Sequence, residues 1–198
     1  VIPAWGRSGD DLNFLYTGGT TGMPKGVMWR QDDLVVTLTA SLGRPIEGNG
    51  TIDDLRGTFE APGSRFLPAC PQMHGTGNFP CLSTLTGGGS VVTLTNRTFD
   101  PVELLDTIER EGVNSISIVG DAFAKPILRT LDANRGRWDL TSLVGIVSSG
   151  VMWSKESKQG LLDHHPGMVL MDAFSSSEAL GMGSSVSAAG APAETAKF

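Results

Sequence analysis

Short apolar runs alternate with helix-like segments along most of this chain, and that alternation restricts the fold more than any other feature. Phe66-Leu67-Pro68-Ala69-Cys70-Pro71 reads as a short strand entering a turn. Ser90-Val91-Val92-Thr93-Leu94 reads as a strand after the Gly87-Gly88-Gly89 turn. Val113 to Val119 reads as a further strand, and Leu143 to Val147 and Met168 to Met171 as strands without polar side chains. Between them, Asp100 can cap a helix, Pro101 suits its first position and Glu103 can reach back; Leu104, Leu105 and Ile108 give the buried face, and Gly112 ends it. Phe123, Ile127, Leu128 and Leu131 recur at helical spacing, Phe79 to Leu85 is an apolar helix candidate, and Ser154 caps a helix to about Asp163. Such a chain predicts an α/β fold: a mostly parallel sheet with helices on both faces. Ligands of these sheets sit beyond the carboxyl ends of the strands.

The segments after the strands carry the chemistry. Tyr16-Thr17-Gly18-Gly19-Thr20-Thr21-Gly22-Met23-Pro24-Lys25-Gly26-Val27 is a loop of small residues and hydroxyls ending in one lysine. Its glycines allow positive φ and close backbone approach to a ligand. Successive N–H groups in such a turn form a nest for anionic oxygens. Thr17, Thr20 and Thr21 add hydroxyl donors, and Lys25 adds a point charge suited to phosphate. It is not a Walker A loop, which has glycine before the lysine and a hydroxyl residue after it; here Pro24 and Gly26 stand there. Leu12, Phe14 and Tyr16 alternate before the loop, as a half-buried strand would. Val27-Met28-Trp29 extends a short strand, and Asp32 and Asp33 open an amphipathic helix through Leu34, Val35, Leu38 and Leu42. Residues 44 to 63 read as a variable loop with at most a short helix at Asp53–Leu55.

Late in the chain, Asp172-Ala173-Phe174-Ser175-Ser176-Ser177-Glu178 sets a ring, hydroxyls and a carboxylate directly after an apolar strand. A ring can stack on a purine, a serine can bond a phosphate oxygen, and a glutamate can hold Mg²⁺. Taken alone, the same segment is equally a serine-rich helix start. Ser148-Ser149-Gly150-Val151-Met152 is a small-residue turn, and Pro71-Gln72-Met73-His74-Gly75 places a histidine after a strand. Trp29 and Trp153 read as packing residues, and His164 and His165 as helix-end or surface residues.

Composition narrows the classes. The 198 residues are 39% hydrophobic and 18% charged, with a net charge of −6 and no basic cluster, so nucleic acid is not an expected partner. No apolar run reaches the ~18 residues of a spanning helix. Cys70 and Cys81 suggest neither a disulfide framework nor zinc, and reduced cytoplasmic thiols are the expectation. The chain reads as a piece of a longer one.

The Thr-rich turn with Pro24, Lys25 and Gly26 closely resembles the phosphate-binding motif of the adenylate-forming enzymes: acyl-CoA synthetases, peptide-synthetase adenylation domains and luciferases. Most members have serine where this chain has Gly18. The wording YTGGTTGMPKGVMWR looks most like actinobacterial fatty-acyl or steroid-side-chain acyl-CoA synthetases. The resemblance implies part of the large N-terminal domain, with the C-terminal lid absent. It implies ATP, Mg²⁺ and CoA, a small carboxylic acid as partner, and a homodimer as the candidate assembly. Thr17, Gly18, Gly19, Thr20, Thr21, Gly22 and Lys25 would grip phosphates; Ser149, Gly150, Val151, Asp172, Ala173 and Phe174 would border the adenine; Ser177 would contact the α-phosphate; and Glu178 would coordinate Mg²⁺. His74, Gly75, Gly150 and Ser175 would line the acyl site, Ser175 standing where the family usually has glycine; an amino-acid-activating relative would want a carboxylate near His74, and since none stands between Phe66 and Phe79 the resemblance implies a plain carboxylic acid. Thr17, Lys25 and Glu178 are the implied catalytic set. The family's ribose-binding Asp, hinge and late lysine would lie beyond Phe198, so the piece alone is expected to be inactive. An adenylation module loading a carrier protein, or a non-catalytic nucleotide-binding α/β domain, are the alternatives.

Overall fold

The computed structural model describes residues 4, 6–18, 22–41, 46, 53, 56–60 and 62–191. Two sheets organise them. β1 (Leu12–Thr17) and β2 (Lys25–Arg30) form an antiparallel hairpin, with Thr17 opposite Lys25 and Leu15 opposite Val27. The larger sheet has six strands: β3 (Arg65–Pro68), β4 (Ser90–Val91), β5 (Ser115–Ile118), β6 (Gly145–Ser148), β7 (Val169–Phe174) and β8 (Gly183–Ala188). Its order is β4-β3-β5-β6-β7-β8, parallel throughout except for the antiparallel β7–β8 pair. α1 (Gln31–Ser41) follows the hairpin, and α2 (Gly75–Thr86), α3 (Pro101–Glu111), α4 (Gly120–Ala133) and α5 (Lys155–His164) are the crossovers of the parallel strands. The expected α/β architecture is therefore present.

Alternation along the strands divides the core. Leu67, Ile116, Ile118, Ile146 and Leu170 face α3, α4 and α5 and pack with Leu104, Leu105, Ile108, Ile127, Leu161 and Leu162. Ser117, of the opposite parity, touches Cys70, whose neighbour Cys81 lies on α2. Burial, and then the nearby Cys70, push the Cys81 thiol up to about 11, so neither cysteine is a poised nucleophile. A second, smaller cluster of Leu15, Leu34, Leu38 and Phe79 seats the hairpin and α1 on α2. Among the described residues, no helix is long and apolar enough to cross a membrane.

The local signals of α3 act as read: Asp100 Oδ1 accepts from the Val102 N–H at 2.8 Å, Pro101 opens the helix, and Gly112 closes it at φ 60°. Glu103 does not reach back, however. Its carboxylate accepts from Thr95 N, Thr95 Oγ1 and Asn96 N, and so fastens the incoming loop. β4 stops at Val91, short of the expected Leu94, for a reason that lies in its neighbour. Val92 N still donates to the Phe66 carbonyl, but the next bond would need an N–H from Pro68, which has none. α2 begins at Gly75, inside the stretch expected to be a turn, and β7 runs on to Phe174, so Asp172 to Phe174 lie on the strand and not after it. The strand β8 is not anticipated by the sequence pattern, since GSSVSA offers little apolar alternation. A 3₁₀ turn spans Arg56–Phe59; Asp53 is helical, and the rest of the short helix expected at Asp53–Leu55 falls outside the described residues.

The hairpin keeps the expected alternation and shows which of its faces is buried. Phe14 and Tyr16 are 51% and 62% exposed, Leu12 is exposed with them, and Leu15 is 7% exposed. Periodicity gives the alternation but not the buried face. Leu15, Val27 and Trp29 win because α2 offers Phe79 to that face. Leu15→Ala is therefore expected to destabilise the chain by about 2–4 kcal/mol, and Phe14→Ser by under about 1 kcal/mol. Denaturant unfolding of the two variants checks this order, and the reverse order would contradict the packing.

Candidate functional site

A cleft of about 310 Å³ opens where the hairpin meets the carboxyl ends of the parallel strands. Thr17, the last residue of β1, forms one wall. His74, Gly75 and Thr76, at the start of α2, form a second; Ser149 and Gly150, just past β6, a third; and Ala173, Ser175, Ser176 and Ser177, at the end of β7 and past it, a fourth. Phe79, Pro80, Val147 and Leu180 give the cleft an apolar side. Segments far apart in sequence meet here because parallel strands end on one edge of their sheet.

Each wall has a local cause. Gly75 is needed where α2 meets its own Phe79 and the hairpin: a Cβ there would lie 2.9 Å from the Phe79 ring and 3.5 Å from Leu15. The first N–H groups of a helix lack in-helix acceptors, so the start of α2 suits an anionic ligand. The turn after β6 is anchored by Ser148, whose buried hydroxyl accepts from Gly120 N at 2.9 Å. Gly150, at φ 87°, makes the turn that brings the chain to within 3.9 Å of Thr76 (measured from a Cβ position). The turn after β7 is knitted to itself: Ser175 Oγ accepts from Gly181 N, Ser176 Oγ accepts from Ala179 N, and Ser176 N donates to the Ala179 carbonyl. From the hairpin, the Trp29 indole N–H donates to the Ser177 carbonyl at 2.7 Å.

Of the residues singled out in the sequence, Thr17, His74, Gly75, Ser149, Gly150, Ala173, Ser175 and Ser177 line the cleft. Gly19, Thr20 and Thr21 fall outside the described residues. Gly18 is exposed, and Gly22 takes the positive φ that the loop calls for, at 106°. Lys25 is exposed at the mouth of the hairpin, its carbonyl 3.5 Å from Thr17 Oγ1. Val151, Phe174 and Glu178 are exposed and stand outside the cleft lining, each next to a residue that belongs to it or one removed. Asp172 is buried, and its carboxylate is taken by Lys158 of α5, itself fully buried with its ammonium 5.6 Å from the Trp153 ring. The sequence reading passed over Thr76, Phe79, Pro80, Val147, Ser176 and Leu180 as wall residues, and it took Trp29 for packing alone. Two of them had a signal: Thr76 its place after a strand, and Ser176 its place in the hydroxyl run Ser175–Ser177.

For a metal, the donor set is informative. Among the described residues no group of three His, Cys, Asp or Glu side chains comes together to enclose an ion. A lone exposed carboxylate such as Glu178 fits Mg²⁺, which keeps waters and phosphate oxygens and takes one or two carboxylates.

The Lys158–Asp172 pair supports the site from below, because Asp172 directly precedes the cleft residue Ala173. Lys158→Met leaves a buried carboxylate unpaired and is expected to destabilise by about 3–5 kcal/mol, most of it recovered by adding Asp172→Leu. Thermal unfolding of the single and double variants checks this; an unchanged midpoint in Lys158→Met would contradict it.

Comparisons with known proteins agree with one another. The family model described as AMP-binding enzyme matches residues 3–197. The medium-chain acyl-CoA ligase Mig of Mycobacterium avium is 36% identical over 175 residues, covering 85% of this chain and 31% of that protein. The 3-oxocholest-4-en-26-oate–CoA ligase of Rhodococcus rhodochrous is 35% identical over 179 residues, covering 87% of this chain and 32% of that protein. The chain thus spans about a third of the length of these relatives. In fold it is similar to the N-terminal domain of FACL13 from Mycobacterium tuberculosis (TM-score 0.66, 18% identity, 89% of this chain and 39% of that one). It is also similar to PA1221, a protein with adenylation and PCP domains (TM-score 0.68, 20% identity, 93% of this chain and 29% of that one).

Proposed function

The chain belongs to the AMP-binding enzyme family, and from that premise we propose that the protein carrying it activates a carboxylic acid with ATP and passes the acyl group to CoA. In the first step a carboxylate oxygen attacks the α-phosphorus, giving acyl-AMP and releasing pyrophosphate. In the second the CoA thiol attacks the acyl carbon, giving the thioester and releasing AMP. The observation that carries this reading is the convergence of Thr17, His74–Gly75, Ser149–Gly150 and Ser175–Ser177 on one cleft.

Attack of one anion on another is mainly a matter of position and charge. The glycine and threonine loop with Lys25 holds the β- and γ-phosphates, and Ser177 bonds the α-phosphate. Phe174, exposed at the end of β7, offers its ring to adenine, beside the Ser149–Gly150 backbone. Glu178 would hold Mg²⁺, which would supply charge neutralisation at the reacting phosphates. His74 and Gly75 border the acyl group, and Phe79, Pro80 and Leu180 offer it apolar surface. No carboxylate lines the cleft among the described residues, so an α-ammonium has no partner there. This favours a fatty or steroid side-chain acid over an amino acid, in line with the names of the relatives. CoA as acceptor rests on those relatives alone, and cytoplasmic residence goes with it.

The chain spans about a third of the length of these relatives, so the test belongs in the full-length protein. Lys25→Ala and Glu178→Ala are each expected to lower kcat/KM for acid-dependent pyrophosphate release by about 10²–10³-fold. Wild-type rates in both would overturn these residue roles, and no acid-dependent pyrophosphate release from the unmutated protein would leave a non-catalytic nucleotide-binding domain.

A further inference from the structure

We propose that Trp29 is a positioning residue: its indole N–H, bonded to the Ser177 carbonyl, sets the turn that carries Ser177 and Glu178 against the hairpin that carries Thr17 and Lys25. The functional half of this rests on the reading of the site given above; the structural half does not. Trp29 lies on β2 opposite Asn13 and, at period two, on the same face as Val27 and Lys25. That face packs on α2. The indole and Phe79 rings meet in a T-shaped arrangement with centroids 6.3 Å apart and planes at 73°, and Phe79 lines the cleft. The ring therefore has its orientation fixed by packing before its N–H is used.

That N–H reaches a carbonyl 148 residues away at 2.7 Å in a part-buried setting. Among the described residues it is the one hydrogen bond between the hairpin and the turn after β7, whose other bonds, through Ser175, Ser176, Ala179 and Gly181, are internal. The acceptor matters as much as the donor. The Ser177 carbonyl and the Glu178 N–H belong to one planar peptide unit that contains the Cα atoms of both residues, so holding that oxygen restrains where both Cα atoms stand. A leucine or phenylalanine at position 29 would fill similar space but would leave the carbonyl without this donor. Tryptophan thus contributes what packing alone does not: it sets the spacing between the phosphate hairpin and the residues that face it across the cleft.

The test uses the full-length protein and two readouts. Trp29→Phe keeps a ring against Phe79 and removes the N–H. Hydrogen exchange of the amides at 176–181 is expected to quicken about 5-fold, the weight of one ordinary hydrogen bond, with β5 and β6 unchanged. Acid-dependent pyrophosphate release is expected to lose roughly 10-fold in kcat, with KM for the acid within about 2-fold. If Trp29→Phe does not fold, benzothienylalanine at the same position, an indole with sulfur for N–H, answers the same question. Unchanged exchange at 176–181 overturns the tie, whatever the protein's activity. Faster exchange with wild-type kcat overturns the positioning role while leaving the site intact. If Lys25→Ala and Glu178→Ala also turn over normally, the site reading itself fails and the positioning role falls with it.

Discussion

The hairpin of β1 and β2 is a sheet of its own, and two strands alone are marginal in water. What holds it is the contact of Leu15 with Leu34, Leu38 and Phe79, supplemented by the Trp29 ring. This small cluster decides where Thr17 stands. The cleft depends on it, because the other walls come from the end of one rigid parallel sheet and need only that sheet's geometry. Remove the seat, and the glycine loop has no fixed relation to Ser177.

The division of labour between the two sheets follows from this. The larger sheet is fixed by the aliphatic layer under α3, α4 and α5 and by the Lys158–Asp172 pair, so β6 and β7 deliver their terminal turns at defined places. The hairpin brings the lysine and the hydroxyls to those turns from outside the sheet. On the proposed reading, a ligand with several phosphates would be gripped between the two, and the apolar side at Phe79, Pro80 and Leu180 would take the hydrocarbon of an acyl group.

How much of this the residues announce depends on whether the cause is local. α3 is legible because Asp100, Pro101 and Gly112 act on their own helix. The early end of β4 is not, because Pro68 belongs to a neighbouring strand. The extent of β7 is not, because Asp172 reads as a loop carboxylate until Lys158 is placed beside it. The hairpin face is half legible: the alternation of Leu12, Phe14 and Tyr16 is real, but which side is buried is settled by Phe79, far along the chain. The cleft is legible where a motif marks it, at Thr17, His74, Ser149 and Ser177. It is hidden where only packing does, at Phe79, Pro80 and Leu180. Trp29 combines the two cases, since its bulk predicts burial and nothing in the sequence predicts the acceptor of its N–H.

The central claim is that one ligand occupies all four walls at once. It is tested most directly by hydrogen exchange of the full-length protein with and without an alkyl-sulfamoyl-adenosine, a stable mimic of acyl-AMP. The account predicts simultaneous slowing at the end of β1, at residues 74–77, at 148–151 and at 173–178. Slowing confined to one of these segments, or to none, would contradict it.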